Sequence, residues 1–461
     1  MLEQTIIEEL AAIVGEANVL TSPEDLICYS YDSTFAESRP DVVVSPATTE
    51  EVSQVMRVAY EAEIPVVPRG MGSGLAAGSI PFSGGIALSL TRMNRILEID
   101  EENMTATAEA GVITADLQAA VEERGLFYPP DPSSIKQSTI GGNVACNAGG
   151  PRCLKYGVTG DYVLGLKVVL ADGRILQTGG KAIKNVTAYN LTQLFVGSEG
   201  TLGVITEVLV RLISKPEYVR TALAVFPELE DASRTVNAIL TAGIVPCTIE
   251  MMDDTTIETV EEYMHLGLPV GAAALLILES DGEDLDMVNR EIEAMAEIAR
   301  QHGASEVKVA QTEAERAELW RGRRSLSPSL ARRAPNKLGE DISVPRSQIP
   351  EAVRRIKEIG RKYNLPIVVF GHAGDGNLHP NILFDRRNEE EWNRVEQAVG
   401  EIFAMAVELG GTLSGEHGVG TLKLPYLEMA LGPVAVDMMR RIKQAFDPKG
   451  ILNPGKKVSP A

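Results

Sequence analysis

The amino-acid sequence predicts an α+β fold built from two main domains. The chain has 461 residues, of which 44% are hydrophobic and 23% charged, and this is typical of a globular protein with two or three domains. Before Pro216, short apolar runs are separated by Gly and Pro, whereas after it amphipathic helical segments alternate with single strands. We therefore divide the chain into an N-terminal helical segment and three further parts, with bounds 1–40, 41–215, 216–410 and 411–461.

The first half is predicted to contain short strands and few helices. Residues 1–20 and 50–62 have apolar side chains at helical spacing, and a third helix is expected to close at 118–124, where Gly125 can cap it. The stretch 127–160 is rich in Pro, Gly, Asn and Ser without a regular pattern, so we expect a long functional loop there. Strands are expected at 64–67, 86–90, 96–100, 105–108, 164–170, 175–177 and 202–212.

The second half is predicted to alternate strands with helices, which is typical of an α+β sheet covered by helices on one face. A hairpin is expected at 366–384. Strands are expected at 219–226, 245–251, 272–279 and 305–310, and helices at 228–242, 255–265, 283–302, 312–331, 350–363, 389–409 and 423–446.

The charge balance argues against several classes of function. Lys and Arg number 43 against 64 Asp and Glu, which gives a formal charge of −21, whereas nucleic acids and anionic membranes are bound by clustered basic residues. No segment reaches the roughly 18 apolar residues of a membrane helix, and the acidic start differs from a signal peptide. Four cysteines without a Cys-x-x-Cys pair argue against a disulfide scaffold or a cysteine-held cluster. We expect a cytoplasmic protein.

Glycine-rich loops in the first half indicate a phosphate-containing ligand. Residues 68–75 read PRGMGSGL and follow a predicted strand, and three glycines in five residues allow backbone N–H groups to approach an anion. The run 72–77 fits the G-x-G-x-x-A fingerprint of dinucleotide binding, but Gly78 and Pro81 oppose the helix that this fingerprint must open. Taken alone, the loop is also compatible with a plain tight turn. Further glycine loops at 138–150 and 197–205 favour a large, extended ligand held by the main chain.

The ordered motifs PRGMGSGL, TIGGNVACNAGG, GSEGTLGVIT and DPKGILNPGK resemble those of FAD-binding flavoproteins of the vanillyl-alcohol-oxidase superfamily, in the branch of FAD-linked D-2-hydroxyacid dehydrogenases. The resemblance implies an FAD-binding domain, an α+β ferredoxin-like cap domain over the isoalloxazine ring, and a C-terminal segment that returns to the flavin. Some members attach FAD to a His in the first glycine loop, where this chain has Ser73 and Leu75, so we expect noncovalent FAD. The cofactor-binding residues implied are Arg69, Gly70, Met71, Gly72, Ser73, Gly74, Leu75, Pro132, Ser138, Thr139, Gly142, Ala148, Gly149, Gly157, Glu199, Gly203, Ile205 and Asn453.

Two of the five histidines, His372 and His379, flank a predicted hairpin turn. A two-residue turn centred on Asp375 and Gly376 would place these histidines directly opposite each other, with Cβ atoms about 5 Å apart. Together with Glu416 they would form a metal site with open positions, which is typical of catalysis. The resemblance implies the same three ligands and a catalytic base at the adjacent His417. The alternative is that these are ordinary hydrogen-bonded histidines.

Residues 321–337 contain six cations and no acid. Such a cluster could bind a carboxylate substrate, although a solvated helix face is the better interpretation for most of the six. By resemblance we expect Arg321 to bind the carboxylate of the substrate. Lys337 is expected to take part as well, although its spacing to the motif at 341–345 is less regular. Asn381 lies two residues beyond His379, and we expect it on the same strand face and in reach of substrate.

These observations together predict FAD-dependent oxidation of a small D-2-hydroxy acid, D-lactate or glycolate, assisted by a divalent metal (Zn, Fe or Mn). The chain has no cluster motif of its own, so electrons would leave on another carrier, and the resemblance implies a partner such as an electron-transfer flavoprotein or an iron–sulfur subunit. Two alternatives remain open: a metal-independent FAD oxidase of the same superfamily, and a non-enzymatic electron-relay subunit.

Overall fold

The computed structural model describes residues 2–458, which form two compact units. The first unit contains residues 2–150, 157–215 and 416–458, and the second contains residues 151–156 and 216–415. The helices are α1 (Gln4–Val14), α2 (Pro23–Ile27), α3 (Thr49–Glu61), α4 (Thr114–Glu122), α5 (Ile140–Cys146), α6 (Cys153–Tyr156), α7 (Leu191–Phe195), α8 (Leu229–Thr241), α9 (Asp254–Met264), α10 (Leu285–Gln301), α11 (Glu313–Arg324), α12 (Leu326–Arg333), α13 (Ile349–Tyr363), α14 (Glu389–Glu408), α15 (Leu427–Leu431) and α16 (Pro433–Phe446).

Within residues 2–458 the strands belong to four sheets, three in the first unit and one in the second. They are β1 (Val19–Leu20), β2 (Val42–Val44), β3 (Val66–Arg69), β4 (Ile86–Ser89), β5 (Ile96–Asp100), β6 (Thr105–Glu109), β7 (Leu126–Phe127), β8 (Val163–Val169), β9 (Ile175–Gly179), β10 (Val204–Arg211), β11 (Ile213–Ser214), β12 (Tyr218–Phe226), β13 (Thr248–Asp253), β14 (Ala274–Gly282), β15 (Glu306–Val309), β16 (Asn336–Gly339), β17 (Ile342–Ser343), β18 (Ile367–His372) and β19 (Asn377–Phe384).

The first unit combines a four-stranded sheet in the order β1-β2-β4-β3 with a five-stranded antiparallel sheet in the order β5-β6-β10-β8-β9, and β7 pairs with β11. Apolar side chains of α1 and α3 pack on the four-stranded sheet, and Ile451 and Leu452 join the same core. The Val66 amide donates to the Ile451 carbonyl and the Asn453 amide to the Val66 carbonyl, both at 2.8 Å. The C-terminal segment therefore lies against β3, directly before the first glycine loop.

The second unit is built on an antiparallel sheet in the order β15-β12-β14-β13-β18-β19-β16, with β17 also paired to β19. In its central strand β14, residues 274–281 are all buried. Leu275 and Ile277 pack with α9, α11 and α12, while Val236 of α8 and Val288 of α10 are also fully buried. The prediction of a sheet covered on one face is therefore wrong, because consecutive strand residues are buried on both faces.

Other expectations about elements also differ from the structure. Residues 127–160 are not all irregular, because α5 forms where Thr139 caps the helix by accepting from the Gly142 amide at 3.2 Å. A Cβ on Gly141 would lie 2.5 Å from Ala110 Cβ, so close packing favours glycine in a helix despite its low propensity. The helix expected at 312–331 is two helices that meet at Ser325, and the helix expected at 423–446 contains two helices, α15 and α16, separated by Gly432. No helix among residues 2–458 is long and apolar enough to span a bilayer.

Candidate active site

A glycine-lined cavity lies in the first unit, beside the end of β3 and the start of α5. Glu416 and His417 from the C-terminal part of the chain also line it. Of the residues expected to bind FAD, those that line this cavity are Arg69, Gly70, Met71, Gly72, Ser73, Gly74, Leu75, Pro132, Ser138, Thr139, Gly142, Ala148, Gly149, Glu199, Gly203 and Ile205.

The loop from Gly70 to Leu75 borders the cavity with its backbone. Within residues 2–458, none of its six amide N–H groups donates to another group of the chain. Gly72 has a φ of +69°, and a Cβ on it would lie 2.1 Å from Arg69 Nη2. A Cβ on Gly70 would lie 2.4 Å from Thr139 Oγ1. Because three of the six residues of this cradle are glycines, these amide groups can approach an anionic pyrophosphate, as FAD would supply.

Glu199 anchors the segment that carries His417. Its buried carboxylate accepts the Val419 amide at 2.8 Å and the Gly420 amide at 2.7 Å, and Lys457 Nζ lies 3.3 Å away. Glu416 Oε1 and His417 Nε2 are 3.9 Å apart and both side chains are mostly buried. Glu199 therefore fixes the backbone directly after the candidate base.

Two residues expected to bind FAD do not line the cavity. Asn453 lies beneath it and donates from Nδ2 to the carbonyl oxygens of Gly78 (2.9 Å) and Glu199 (2.7 Å). Gly157 forms a turn at φ +82°, and a Cβ there would lie 2.3 Å from Asp161 Oδ2. Direct contact with FAD stays a prediction for these two residues, as it does for those that line the cavity.

The histidine pair lies in the second unit on neighbouring strands β18 and β19. The loop between these strands has four residues, 373–376, rather than the expected two-residue turn. His372 therefore pairs with Asn377, and His379 pairs with Phe370, so the prediction of directly opposite histidines is wrong. Because the register differs by two residues, the side chains keep the same face. Their Nε2 atoms lie 3.3 Å apart.

The outer nitrogens of both imidazoles face carboxylates. His372 Nδ1 is hydrogen-bonded to Glu250 of β13, and His379 Nδ1 lies 3.9 Å from Asp341 Oδ1. Asp341 in turn accepts from Asn377 Nδ2 at 2.6 Å. A carboxylate at Nδ1 is the usual support of a histidine that binds metal through Nε2. The sequence reasoning missed both Glu250 and Asp341.

The separation of the two Nε2 atoms matches a shared cation. Two nitrogens bound at 2.0–2.1 Å to one tetrahedral ion would be about 3.3 Å apart. The donor set of the pair therefore fits a divalent metal.

Glu250 is fully buried and its charge is compensated. Burial would raise its pKa, but His372 and Arg323, through charge and hydrogen bonding, outweigh burial and hold the pKa at about 2. Arg323 donates from Nε to Glu250 Oε2 at 2.6 Å, and its guanidinium lies 4.8 Å above the Phe370 ring. Glu250 is thus a carboxylate at neutral pH.

The candidate substrate residues occupy different positions around this pair. Arg321 is exposed and donates to Glu318 at 3.1 Å, whereas Arg323, about 200° further around α11, reaches the histidine face. Lys337 donates to Ser327 Oγ at 2.8 Å, and burial lowers its pKa. Asn381 is buried and donates to the His379 carbonyl at 3.0 Å. The strand register places Lys337, Asn381 and His379 on one face.

The comparison with protein families is decisive for the identity of the chain. Residues 215–457 match the family described as FAD linked oxidases, C-terminal domain, and residues 40–179 match the FAD binding domain. This chain belongs to the FAD-linked oxidases. The resemblance noted from the motifs is confirmed, and the protein is an FAD-dependent oxidoreductase.

Known relatives and solved structures agree with this assignment. The chain is 50% identical to glycolate oxidase subunit GlcD of Bacillus subtilis, over 99% of this chain and 97% of the relative. It is 37% identical to D-lactate dehydrogenase of Anaerostipes hadrus, over 96% and 95%. The structure of p-cresol methylhydroxylase with substrate bound superposes with a TM-score of 0.83 at 19% identity, over 99% and 96%. The predicted fold of the vanillyl-alcohol-oxidase type is confirmed.

Proposed function

We propose that this protein oxidises a small D-2-hydroxy acid, D-lactate or glycolate, to the corresponding 2-oxo acid. The observation that carries the proposal is the histidine pair, whose Nε2 atoms lie 3.3 Å apart with a carboxylate near each Nδ1. Relatives that match nearly the whole chain are named for oxidation of glycolate and D-lactate. A metal bound to the histidine pair would hold a hydroxy acid for oxidation by FAD, which agrees with the reactions for which these relatives are named.

We infer that His372, His379 and Glu416 hold a divalent cation, with zinc, iron and manganese as candidates. Two imidazoles and one carboxylate leave coordination positions for substrate oxygens. When bound, such a cation polarises the hydroxyl group of the substrate and lowers its pKa. The roles of Glu250 and Asp341 are to orient the two imidazoles, because each carboxylate lies near an Nδ1 atom.

His417 is proposed to accept the hydroxyl proton. It lines the same cavity as the glycine loop, and Glu199 fixes the backbone that follows it. Noncovalent FAD held in the glycine cradle would supply the acceptor for the α-hydrogen of the substrate, taken up as hydride. The proton taken by His417 and this hydride together account for the two hydrogens that separate a 2-hydroxy acid from its 2-oxo acid.

The substrate carboxylate is proposed to bind to an arginine of α11. Arg321 and Lys337 were expected for this role, but the contact of Arg323 with Glu250 favours Arg323 as the partner. Its guanidinium is planar and offers paired donors to a carboxylate. Lys337 and Asn381 share the strand face of His379 and are proposed to line the rest of the substrate site.

The electrons are proposed to pass from FAD to a partner protein, either an electron-transfer flavoprotein or an iron–sulfur subunit. Support comes from glycolate oxidase subunit GlcD of Bacillus subtilis, a relative that is named as a subunit. Mixing substrate-reduced protein with each candidate acceptor and following flavin reoxidation tests this part separately.

The experiment that tests the proposed function is an anaerobic titration of the purified flavoprotein with D-lactate, L-lactate, glycolate and D-2-hydroxyglutarate. We expect flavin bleaching by D-lactate or glycolate and none by L-lactate. A His417→Ala variant should keep its FAD and lose most of the bleaching rate. Failure of every acid to reduce the flavin would refute the proposal. A His417→Ala variant that is reduced as fast as the parent would refute the role of His417 as the base.

A further inference from the structure

Glu250 connects two parts of the candidate site that come from different elements. It lies on β13 with its side chain fully buried. One carboxylate oxygen is bonded to His372 Nδ1 on β18, and the other accepts from Arg323 Nε on α11 at 2.6 Å. Strand and helix are thus joined through a single carboxylate.

A buried charge of this kind is retained only when its partners satisfy it. An isolated carboxylate in an apolar interior is strongly unfavourable, and each oxygen of Glu250 has one donor. Removal of either donor would leave the buried Glu250 carboxylate only partly compensated. The three side chains are therefore expected to hold one mutual arrangement.

The arrangement determines which nitrogen of His372 can bind a metal. A neutral imidazole that donates from Nδ1 to a carboxylate has its lone pair on Nε2. In the structure this Nε2 is directed at His379 Nε2, 3.3 Å away. Because Arg323 uses its Nε to bind Glu250, the two terminal nitrogens of its guanidinium remain to bind an anion.

We propose that Glu250 is a positioning residue that orients the metal-binding nitrogen of His372 and the carboxylate-binding face of Arg323 together. This rests on the proposed function, since it assumes a metal on the histidine pair. Loss of Glu250 should therefore weaken both metal binding and substrate binding, even though Glu250 contacts neither ligand.

Glu250→Gln tests this proposal because the glutamine has one acceptor oxygen where the carboxylate has two. The NH₂ group of this glutamine must face either His372 Nδ1–H or Arg323 Nε–H. Two donors then face each other, and one of the two hydrogen bonds is lost. The matched control is Glu279→Gln on the adjacent strand β14. Glu279 is also buried, but it accepts from Thr221 Oγ1 (2.6 Å) and Trp320 Nε1 (2.8 Å) instead.

The measurements are zinc binding to the metal-free flavoprotein by competition with a chromophoric chelator, and steady-state KM and kcat for D-lactate. We expect Glu250→Gln to bind zinc roughly ten- to a hundredfold more weakly than the parent and to show a raised KM. Glu250→Asp should recover part of the affinity, and Glu279→Gln should match the parent. Parental zinc affinity in a folded Glu250→Gln variant would overturn the proposal.

The outcome for the parent protein separates this proposal from the proposed function. If the parent and a His372→Ala variant bind zinc equally, the metal site itself is refuted. If the parent binds zinc through His372 but Glu250→Gln is unaffected, only the positioning role fails.

Should Glu250→Gln not fold, the tautomer of His372 provides a second test on the parent chain. Nitrogen-15 shifts of labelled histidine, assigned with a His372→Gln variant, should show the proton of His372 on Nδ1 in the metal-free protein. A proton on Nε2 would overturn the proposal.

Discussion

Replacing Glu199 by glutamine is expected to loosen the segment that carries His417. The carboxylate accepts two backbone amides at 2.8 and 2.7 Å and lies 3.3 Å from Lys457 Nζ. Glutamine keeps one acceptor oxygen and turns an NH₂ group toward the second amide. The loss of one charge-assisted hydrogen bond in a buried site costs about 1.5–3 kcal/mol.

That cost should appear in the rate of flavin reduction, because His417 must be ordered to accept the substrate proton. At 1.4 kcal/mol per tenfold, the expected decrease is roughly 10- to 150-fold. The assay is anaerobic stopped-flow reduction by D-lactate, after flavin content has been matched between samples. The control is Glu207→Gln, which removes a partly exposed ion pair with Lys167 and should change the rate little. A Glu199→Gln enzyme as fast as the parent would refute the anchoring role.

Three further predictions concern the cradle, the arginine and a buried lysine. Gly72→Ala should lose FAD during gel filtration because its φ is +69° and its Cβ would meet Arg69, while Gly74→Ala, with nothing within 4 Å, should retain it. Arg323→Met should raise the KM for D-lactate roughly 10- to 100-fold, through loss of a charge-assisted contact, whereas Arg321→Met should leave KM unchanged. Burial lowers the pKa of Lys456 to about 8, partly offset by nearby carboxylates. Since its pKa is lower in the folded state than in the unfolded one, stability should rise with pH between about 8 and 10.5, by up to ~3 kcal/mol. Urea unfolding of the parent relative to Lys456→Met measures this rise, and identical pH dependences would exclude it.

The cradle could be predicted because its chemistry is local. Three glycines after an apolar strand already indicate backbone groups that approach an anion, and the loop from Gly70 to Leu75 lines the cavity. The helix α5 was missed for the opposite reason. Gly141 and Gly142 have low helix propensity, and their helix depends on the Thr139 cap and on packing against Ala110, which is distant in sequence.

For the histidine pair, the sequence predicts the sheet face of each residue but not the register in which the two strands pair. Asp375 and Gly376 suggested a two-residue turn, but the loop has four residues and the register differs by two. The strand period is two, so the shared face of His372 and His379 was predicted although their pairing was wrong. The only local signal for Glu250 was an acid among apolar residues in a predicted strand, and its contact with Arg323 depends on the packing of α11.

The central claim is that flavin reduction by a 2-hydroxy acid needs a metal on the histidine pair. The direct measurement is the rate of anaerobic flavin bleaching by D-lactate or glycolate before chelation, after removal of the metal with a chelator, and after return of zinc, iron or manganese. Chelation is expected to abolish bleaching while FAD stays bound, and one of these metals is expected to restore it. An unchanged rate in protein shown to be free of metal would contradict the account.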